Sequence, residues 1–432
     1  MPERSEDRPI DAIVVGGGLA GLVAATTVAR SGARVVLFEP RPPGGRARAD
    51  DRGGYTFNRG PRALYLGGAA IPILQDLGVD TSAGGTPSVP GAQGRHHGRL
   101  HLLPQGPGSL LRSSLLRPAE KVRFALALAG LPRTHAASLA GTSFGDFLAT
   151  LRLSPTATDV VRMVARVATY AADVDPLDAA AVVGNLQLAL ADGVRYLDGG
   201  FQSLVDQLLA AALDAGVEVR PDAVRNIDSG EGDGPATVTT AAGAFGARTV
   251  VLAVGTPSAA SSLLGGPVDG VDRISRPVTA ACLELGLRRV PTHPVVFGVG
   301  EPLYLSTHCP PARLAPPGHA VLHVMRNHAA DEALDPRAQR AWLREAAHQA
   351  GVAAQDVVEE RFLADMVVSG GLPTAAGGGF AGRPGVAHDG RPGVVLAGDW
   401  VGSVGLLSDA AVASGAEAAR HALDRAATIV RA

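Results

Sequence analysis

The chain has 432 residues, 46% of them apolar and 19% charged, with a net charge of −2. That composition belongs to a folded protein of two or three domains and excludes a disordered chain. With 41 acidic and 39 basic side chains it also excludes a broadly basic nucleic-acid binder.

The opening MPERSEDRPI is polar and lacks the apolar centre of a signal peptide. No run reaches the ~20 apolar residues of a membrane span. Two cysteines, Cys282 and Cys309, are too few for a disulfide framework and suit a reducing compartment. A cytoplasmic location is therefore expected, and a mean hydropathy of +0.16 leaves room for peripheral membrane contact.

Asp11 to Val15 reads as a buried parallel strand, Leu19 to Ser31 as a helix ending before Gly32, and Arg34 to Glu39 as a second strand. Together they form a βαβ unit. Residues 63–105 read mainly as loops. From Pro118 to Leu190 the apolar spacing is helical, and a further helix runs from Phe201 to Ala215. Short strands follow at Val217–Arg220, Ala223–Ile227, Ala236–Thr240 and Thr249–Val254. Residues 272–325 alternate as antiparallel strands, and Asp335 to Gly351 reads as a helix. Gly393 to Leu396 returns to a buried strand, and Leu407 to Val430 forms the last helix. The expected fold is α/β: a discontinuous Rossmann-type domain with an inserted α+β domain.

Gly16-x-Gly18-x-x-Gly21 stands between the first strand and helix, where a dinucleotide fingerprint must stand. The first glycine permits the turn, the second lets backbone approach a pyrophosphate, and the third lets helix and strand pack closely. Glu39 ends the second strand, where an acid accepts ribose hydroxyl bonds. Gly44-Gly45-Arg46 brings bare backbone and a phosphate-matching guanidinium to the same diphosphate. The alternative reading of that segment is a proline-glycine surface turn.

These motifs resemble those of the FAD-dependent amine oxidase and phytoene desaturase superfamily. The likeness rests on VVGGGLAGLVAA, the acid, Gly-Gly-Arg, FNRGPRAL, DGGFQSLVDQL, VVLAVGTP and VVLAGDWVGSVGLLSDAAVASGAEAA, in that order. It implies an FAD site with Gly16, Gly18 and Gly21 at the diphosphate and Glu39 at the adenosine ribose, with Leu19, Ala20, Pro40 and Arg41 also among the cofactor-binding residues. It further implies Gly45 and Arg46 near the diphosphate and flavin, Gly60, Pro61 and Arg62 against the isoalloxazine, and backbone pairing of Val224 with adenine. Gly398 and Asp399 would meet a diphosphate or ribityl oxygen. Leu406 and Leu407 would open a helix whose positive end faces the pyrimidine edge.

The chain also departs from the superfamily. Many of its amine oxidases place a lysine beside the flavin, whereas Lys121 is the only lysine here. No cysteine lies near the last motif, so FAD is expected to bind non-covalently. The last motif reads Gly-Leu-Leu-Ser-Asp-Ala where the superfamily often has Gly-Ser-Val-Glu-Gly-Ala. The expectation is a dehydrogenase, desaturase or oxidase that moves a hydride from a hydrophobic small molecule to flavin N5. Electrons would leave to oxygen or a carrier. An amine oxidase and a non-redox flavin isomerase or mutase are the rivals. The FAD domain would comprise 1–62, 191–265 and 386–432, and the substrate domain 63–190 and 266–385. Catalytic side chains are not legible, although Trp400 and Tyr304 are candidates for the substrate pocket. His96, His97 and His101 cluster without a carboxylate, which fits a polar hairpin better than a metal site. Asp173, Asp175 and Asp178 read as solvated or capping, and Arg123, Arg162 and Arg166 as polar helix faces.

Overall fold

A computed structural model describes residues 9–87, 90–230, 234–388 and 390–431; most of the polar opening, 1–8, lies outside them. Strand Ile10–Val15 is apolar throughout its inner half and pairs in parallel with Val35–Phe38 on one side and Gly243–Leu252 on the other. Glu218–Arg220 extends the sheet beyond Val35–Phe38. The ten-residue strand Gly243–Leu252 does two jobs. Its first half pairs antiparallel with Ala236–Thr240, which carries Asn226–Asp228, and its second half pairs in parallel with Val394–Leu396. Ile13, Val36 and Val251 are wholly buried, because helices or sheet cover both faces. Each such side chain contributes roughly 1.5–3 kcal/mol.

Helices Leu19–Ala29 and Leu407–Arg431 lie against one another, and Gly415 makes the approach possible. A Cβ at Gly415 would stand 2.4 Å from the Ala20 carbonyl oxygen. The first helix is buried almost all round, so it reads as apolar rather than amphipathic.

The second sheet runs Val357–Ser369, Val278–Leu287, Ala320–Asn327, Leu303–Cys309, Val295–Gly298, Gln93–His96 and Arg99–Leu102. All its pairings are antiparallel except that between Val295–Gly298 and Gln93–His96. Helix Pro336–Gln349 covers one face, and helices Phe144–Thr150, Pro155–Thr169 and Ala179–Ala191 build the core on the other. Ser154 and Asp178 cap two of these helices through their side chains.

Several sequence expectations shift. Residues 63–105 hold strand Leu64–Tyr65, helix Ala70–Asp76 and the hairpin Gln93–His96/Arg99–Leu102, not loops alone. The strand expected at Ala223–Ile227 begins only at Asn226. Residues 221–225 lie outside any strand, and there Arg225 N–H donates to Thr239 O at 2.8 Å. The strand expected from Thr249 starts at Gly243, because its polar half finds the neighbouring hairpin strand as partner.

Candidate active site

The three glycines of the first turn are required for three different reasons. Gly16 has φ +109, and a Cβ there would stand 2.5 Å from the Ala253 carbonyl oxygen. At Gly21 a Cβ would stand 1.9 Å from the Gly16 carbonyl oxygen, so this glycine lets the helix sit on its strand. Gly18 is extended at φ −78, and its Cβ position faces open space. Only Gly18 is therefore free of protein on its open side.

Glu39 is buried, and its Oε2 accepts from Gly17 N–H at 2.9 Å while Oε1 accepts from Arg41 N–H at 3.1 Å. Gly44 N–H donates to Gly17 O at 2.7 Å, which folds the second glycine loop over the first. The Cβ position of Gly45, at φ +53, lies 3.5 Å from Gly18 Cα.

These segments line one cavity of about 490 Å³. Gly16, Gly18, Leu19 and Ala20 line it from the turn, and Glu39, Pro40 and Arg41 from the end of the second strand. Gly45, Arg46, Arg62 and Val224 close its sides. Gly398, Asp399 and Leu407 reach it from the far end of the chain. Leu407 has φ +55 and opens the last helix, so the positive end of that helix faces the cavity.

Arg46 and Asp399, expected to serve the ligand separately, are bonded to each other across 353 residues. Arg46 Nη1 donates to Asp399 Oδ2 at 2.9 Å and Nη2 to Oδ1 at 2.5 Å, while Nη1 also reaches Val368 O at 3.0 Å. Asp399 also accepts from Gly370 N–H at 3.1 Å. Burial works against the Arg46 charge, but the charge and bonds of Asp399 outweigh it and raise the arginine above its usual range. Arg59 is paired with Asp50 at 3.0 Å. Arg62 differs: its Nε is buried without a hydrogen-bond partner among the described residues. Burial, then repulsion from Arg46, lowers its pKa.

Gly60 and Pro61 do not line the cavity. Gly60, at φ +91, donates its N–H to Glu284 Oε1 at 2.7 Å, and Tyr170 Oη donates to Pro61 O at 3.4 Å. Glu284 was not singled out by the sequence reading, although a lone acid in TAACLELGL was the available signal. It is wholly buried, accepts from Arg361 Nε, and lies 3.2 Å from His323 Nδ1. Burial would raise its pKa, but His323 and Arg361 hold it at about 2. Arg361 in turn bonds Asp50 and donates to Phe57 O at 3.1 Å. Cys282, Glu284 and His323 stand within metal-ligand reach of one another, but Glu284 is already committed to Arg361.

The other expected residues fall elsewhere. Trp400 is wholly buried in the core beneath the first sheet, and its Nε1 donates to Val254 O at 3.4 Å. It packs the core and does not wall the cavity. Tyr304 belongs to the core between the second sheet and its helices, with its ring 6.1 Å from Tyr170 and its hydroxyl 3.3 Å from His308 Nε2. Leu406 sits in that same core, so Leu407 alone of the pair reaches the cavity. His96, His97 and His101 occupy the hairpin, with the first two rings 4.1 Å apart. Arg162 pairs with Asp175 at 2.8 Å. Arg166 is no bare helix face, because it donates to Glu301 O at 2.9 Å and ties its helix to the second sheet. Arg123 donates to Arg152 O at 2.9 Å. Lys121 does not line the cavity and donates to Leu111 O at 2.8 Å. Cys282 and Cys309 are buried free thiols.

Glycine turns and a helix N-terminus from opposite ends of the chain, closed on one cavity beside a second sheet, define a flavoprotein oxidoreductase fold. The chain belongs to the flavin containing amine oxidoreductase family, whose model matches residues 19–423. Cyclohexylamine oxidase from Brevibacterium oxydans is similar in fold, with a TM-score of 0.71 at 16% identity, covering 96% of this chain and 99% of that one. So is a putative protoporphyrinogen oxidase from Exiguobacterium, with a TM-score of 0.67 at 19% identity, covering 96% and 98%. Prolycopene isomerase 2 of an Oncidium hybrid cultivar is 44% identical over 61 residues, 14% of this chain and 10% of that protein. The chain thus covers a tenth of that curated relative. Among the described residues no helix is long and apolar enough to cross a membrane.

Proposed function

We propose that the protein is an oxidoreductase that binds FAD non-covalently and removes a hydride from a hydrophobic small molecule. The observation that carries this reading is the convergence of Gly18, Glu39, Gly45, Val224, Asp399 and the start of the last helix on one cavity. The cavity fits a dinucleotide: the open Cβ position of Gly18 and the positive φ of Gly45 leave backbone bare where a diphosphate would pass. Bound FAD supplies a two-electron acceptor, which no side chain can provide. The glycine turns offer N–H groups to the diphosphate, and Glu39 offers carboxylate lone pairs to ribose hydroxyls. Arg62 and the last helix hold positive potential at the cavity, which favours negative charge there. The reading assigns 1–62, 191–265 and 386–432 to FAD, and 63–190 and 266–385 to the substrate.

The position of Lys121 supports desaturation or dehydrogenation over amine oxidation, because the only lysine of the chain does not line the cavity. The absence of Cys282 and Cys309 from the cavity lining supports non-covalent binding. Electrons then pass to oxygen or a carrier. The short likeness to prolycopene isomerase favours a second reading, an isomerase that needs reduced flavin and consumes no acceptor.

The visible spectrum before and after denaturation tests the proposal. Yellow colour released wholly into the supernatant as FAD is the expected result. A colourless protein that takes up no added FAD would refute it, and colour pelleting with the protein would refute non-covalent binding. Anaerobic bleaching by apolar alkenes separates the first reading from bleaching by amines. Turnover only after dithionite reduction selects the isomerase.

A further inference from the structure

The three most exposed large apolar side chains of the described residues are Leu111, Leu126 and Val122, at 76%, 70% and 65%. All three lie on the consecutive helices Pro107–Arg112 and Pro118–Gly130, far in sequence from every cavity-lining segment. Helix Pro118–Gly130 buries one side chain, Phe124. At 3.6 residues per turn, Val122 and Leu126 each point about 200° around the helix from Phe124. The apolar stripe therefore faces solvent, which inverts the usual arrangement of a surface helix.

The same stretch of chain is basic. Arg112, Arg117, Lys121, Arg123 and Arg133 are basic, and Glu120 is the only acid in 105–140, so this stretch carries +4 in a chain of −2. Glu120 is engaged in capping its own helix, where its Oε2 accepts from Arg117 N–H at 2.8 Å. Lys121 and Arg123 flank the stripe on either side of Phe124. Lys121 Nζ donates to Leu111 O at 2.8 Å and ties the two helices together.

Exposed aliphatic tips on a basic stretch match an interface that is anionic at its surface and apolar beneath. We propose that helices 107–112 and 118–130 dock this protein onto the surface of an anionic phospholipid bilayer, with Leu111, Val122 and Leu126 entering the headgroup boundary. A lipid surface needs no shape complement to these scattered side chains, and the basic side chains of the stretch supply the attraction. The inference does not depend on the redox reading of the cavity.

The test is co-sedimentation of the full chain with vesicles of phosphatidylcholine alone, and with one third phosphatidylglycerol. The anionic vesicles should retain the protein and the neutral ones should not, with binding lost at high salt. R112Q and R117Q should each lower partitioning about fivefold. V122Q combined with L126Q should lower it at least tenfold without changing the melting temperature, because both side chains are exposed. L126W should show a blue-shifted emission on anionic vesicles, above the background of Trp342 and Trp400. No retention on anionic vesicles at low salt, or retention indifferent to these substitutions, would overturn the proposal. So would a wild-type dimer in solution that V122Q/L126Q turns into a monomer, since the face would then bind a second copy.

Discussion

Alanine at Gly18 and at Gly21 adds the same methyl group three residues apart in one turn, with opposite expected consequences. At Gly21 the new Cβ would stand 1.9 Å from the Gly16 carbonyl oxygen and 3.2 Å from the Ala253 side chain. Both the strand and the helix are held by parallel pairing and by the last helix, so neither can retreat. Overpacking of a rigid site costs about 1–3 kcal/mol, and a backbone atom as the obstacle puts G21A at the upper end or beyond. At Gly18 the backbone is already extended and nothing lies within 4 Å. G18A should leave the apoprotein as stable as the wild type, or up to ~0.5 kcal/mol more stable through the unfolded chain. Its methyl projects into the cavity where the diphosphate is proposed to lie. FAD affinity should fall at least tenfold, or about 1.4 kcal/mol. Urea unfolding of the apoprotein measures the first effect, and quenching of flavin fluorescence on titration measures the second. A destabilised G18A, a G18A with unchanged FAD affinity, or a G21A as stable as wild type would refute the reasoning.

Three further outcomes follow from the charges. E284Q should cost on the order of 3 kcal/mol in urea unfolding at neutral pH, since it leaves Arg361 buried with Asp50 alone as its carboxylate partner. Glu284 titrates at about 2 when folded against a usual 4.5, so its stabilisation is complete above about pH 4.5 and is lost as pH falls toward 2. The difference between wild type and E284Q should shrink over that window, and a constant difference would contradict the assignment. Asp409 has the opposite sign: burial pushes it up to about 6 from 3.8, only partly offset by the Ala70 N–H. The folded state then binds the proton more tightly, so stability falls as pH rises from about 4 to about 6. D409N, whose amide oxygen still accepts from Ala70, should be more stable than wild type at pH 7 by up to roughly 3 kcal/mol, with no advantage below about pH 4. A D409N that is less stable at pH 7 would show that the Ala70 bond needs the full charge. For Arg46 and Asp399, R46Q should cost about 3 kcal/mol by leaving Asp399 buried and unpaired. R46Q/D399N should cost less than the two singles together, and strict additivity would mean the pair is not coupled.

The βαβ unit and the last strand and helix were legible in the sequence because local rules fix them. A buried parallel strand must be apolar throughout, and a glycine turn must follow where two strand ends crowd. The acid at Glu39 was legible for the same reason, since it closes the second strand of the unit. The strand beginning at Gly243 was hidden, because its polar first half gains its identity from a hairpin partner. Residues 63–105 were hidden too, since two-residue strands carry no period to detect.

Pairings across hundreds of residues were decided only by the tertiary structure. Nothing local in Gly44-Gly45-Arg46 says that the guanidinium turns to Asp399, and nothing in GDW says that Trp400 faces the core. Glu284 showed only as an odd acid in an apolar strand until the fold set Arg361, His323 and the Gly60 amide around it. Short-range steric and periodic constraints are written into a stretch of sequence, and they determined the elements and the turns. A buried charge finds its partner wherever packing delivers one, because an unpaired charge away from water is too costly to persist.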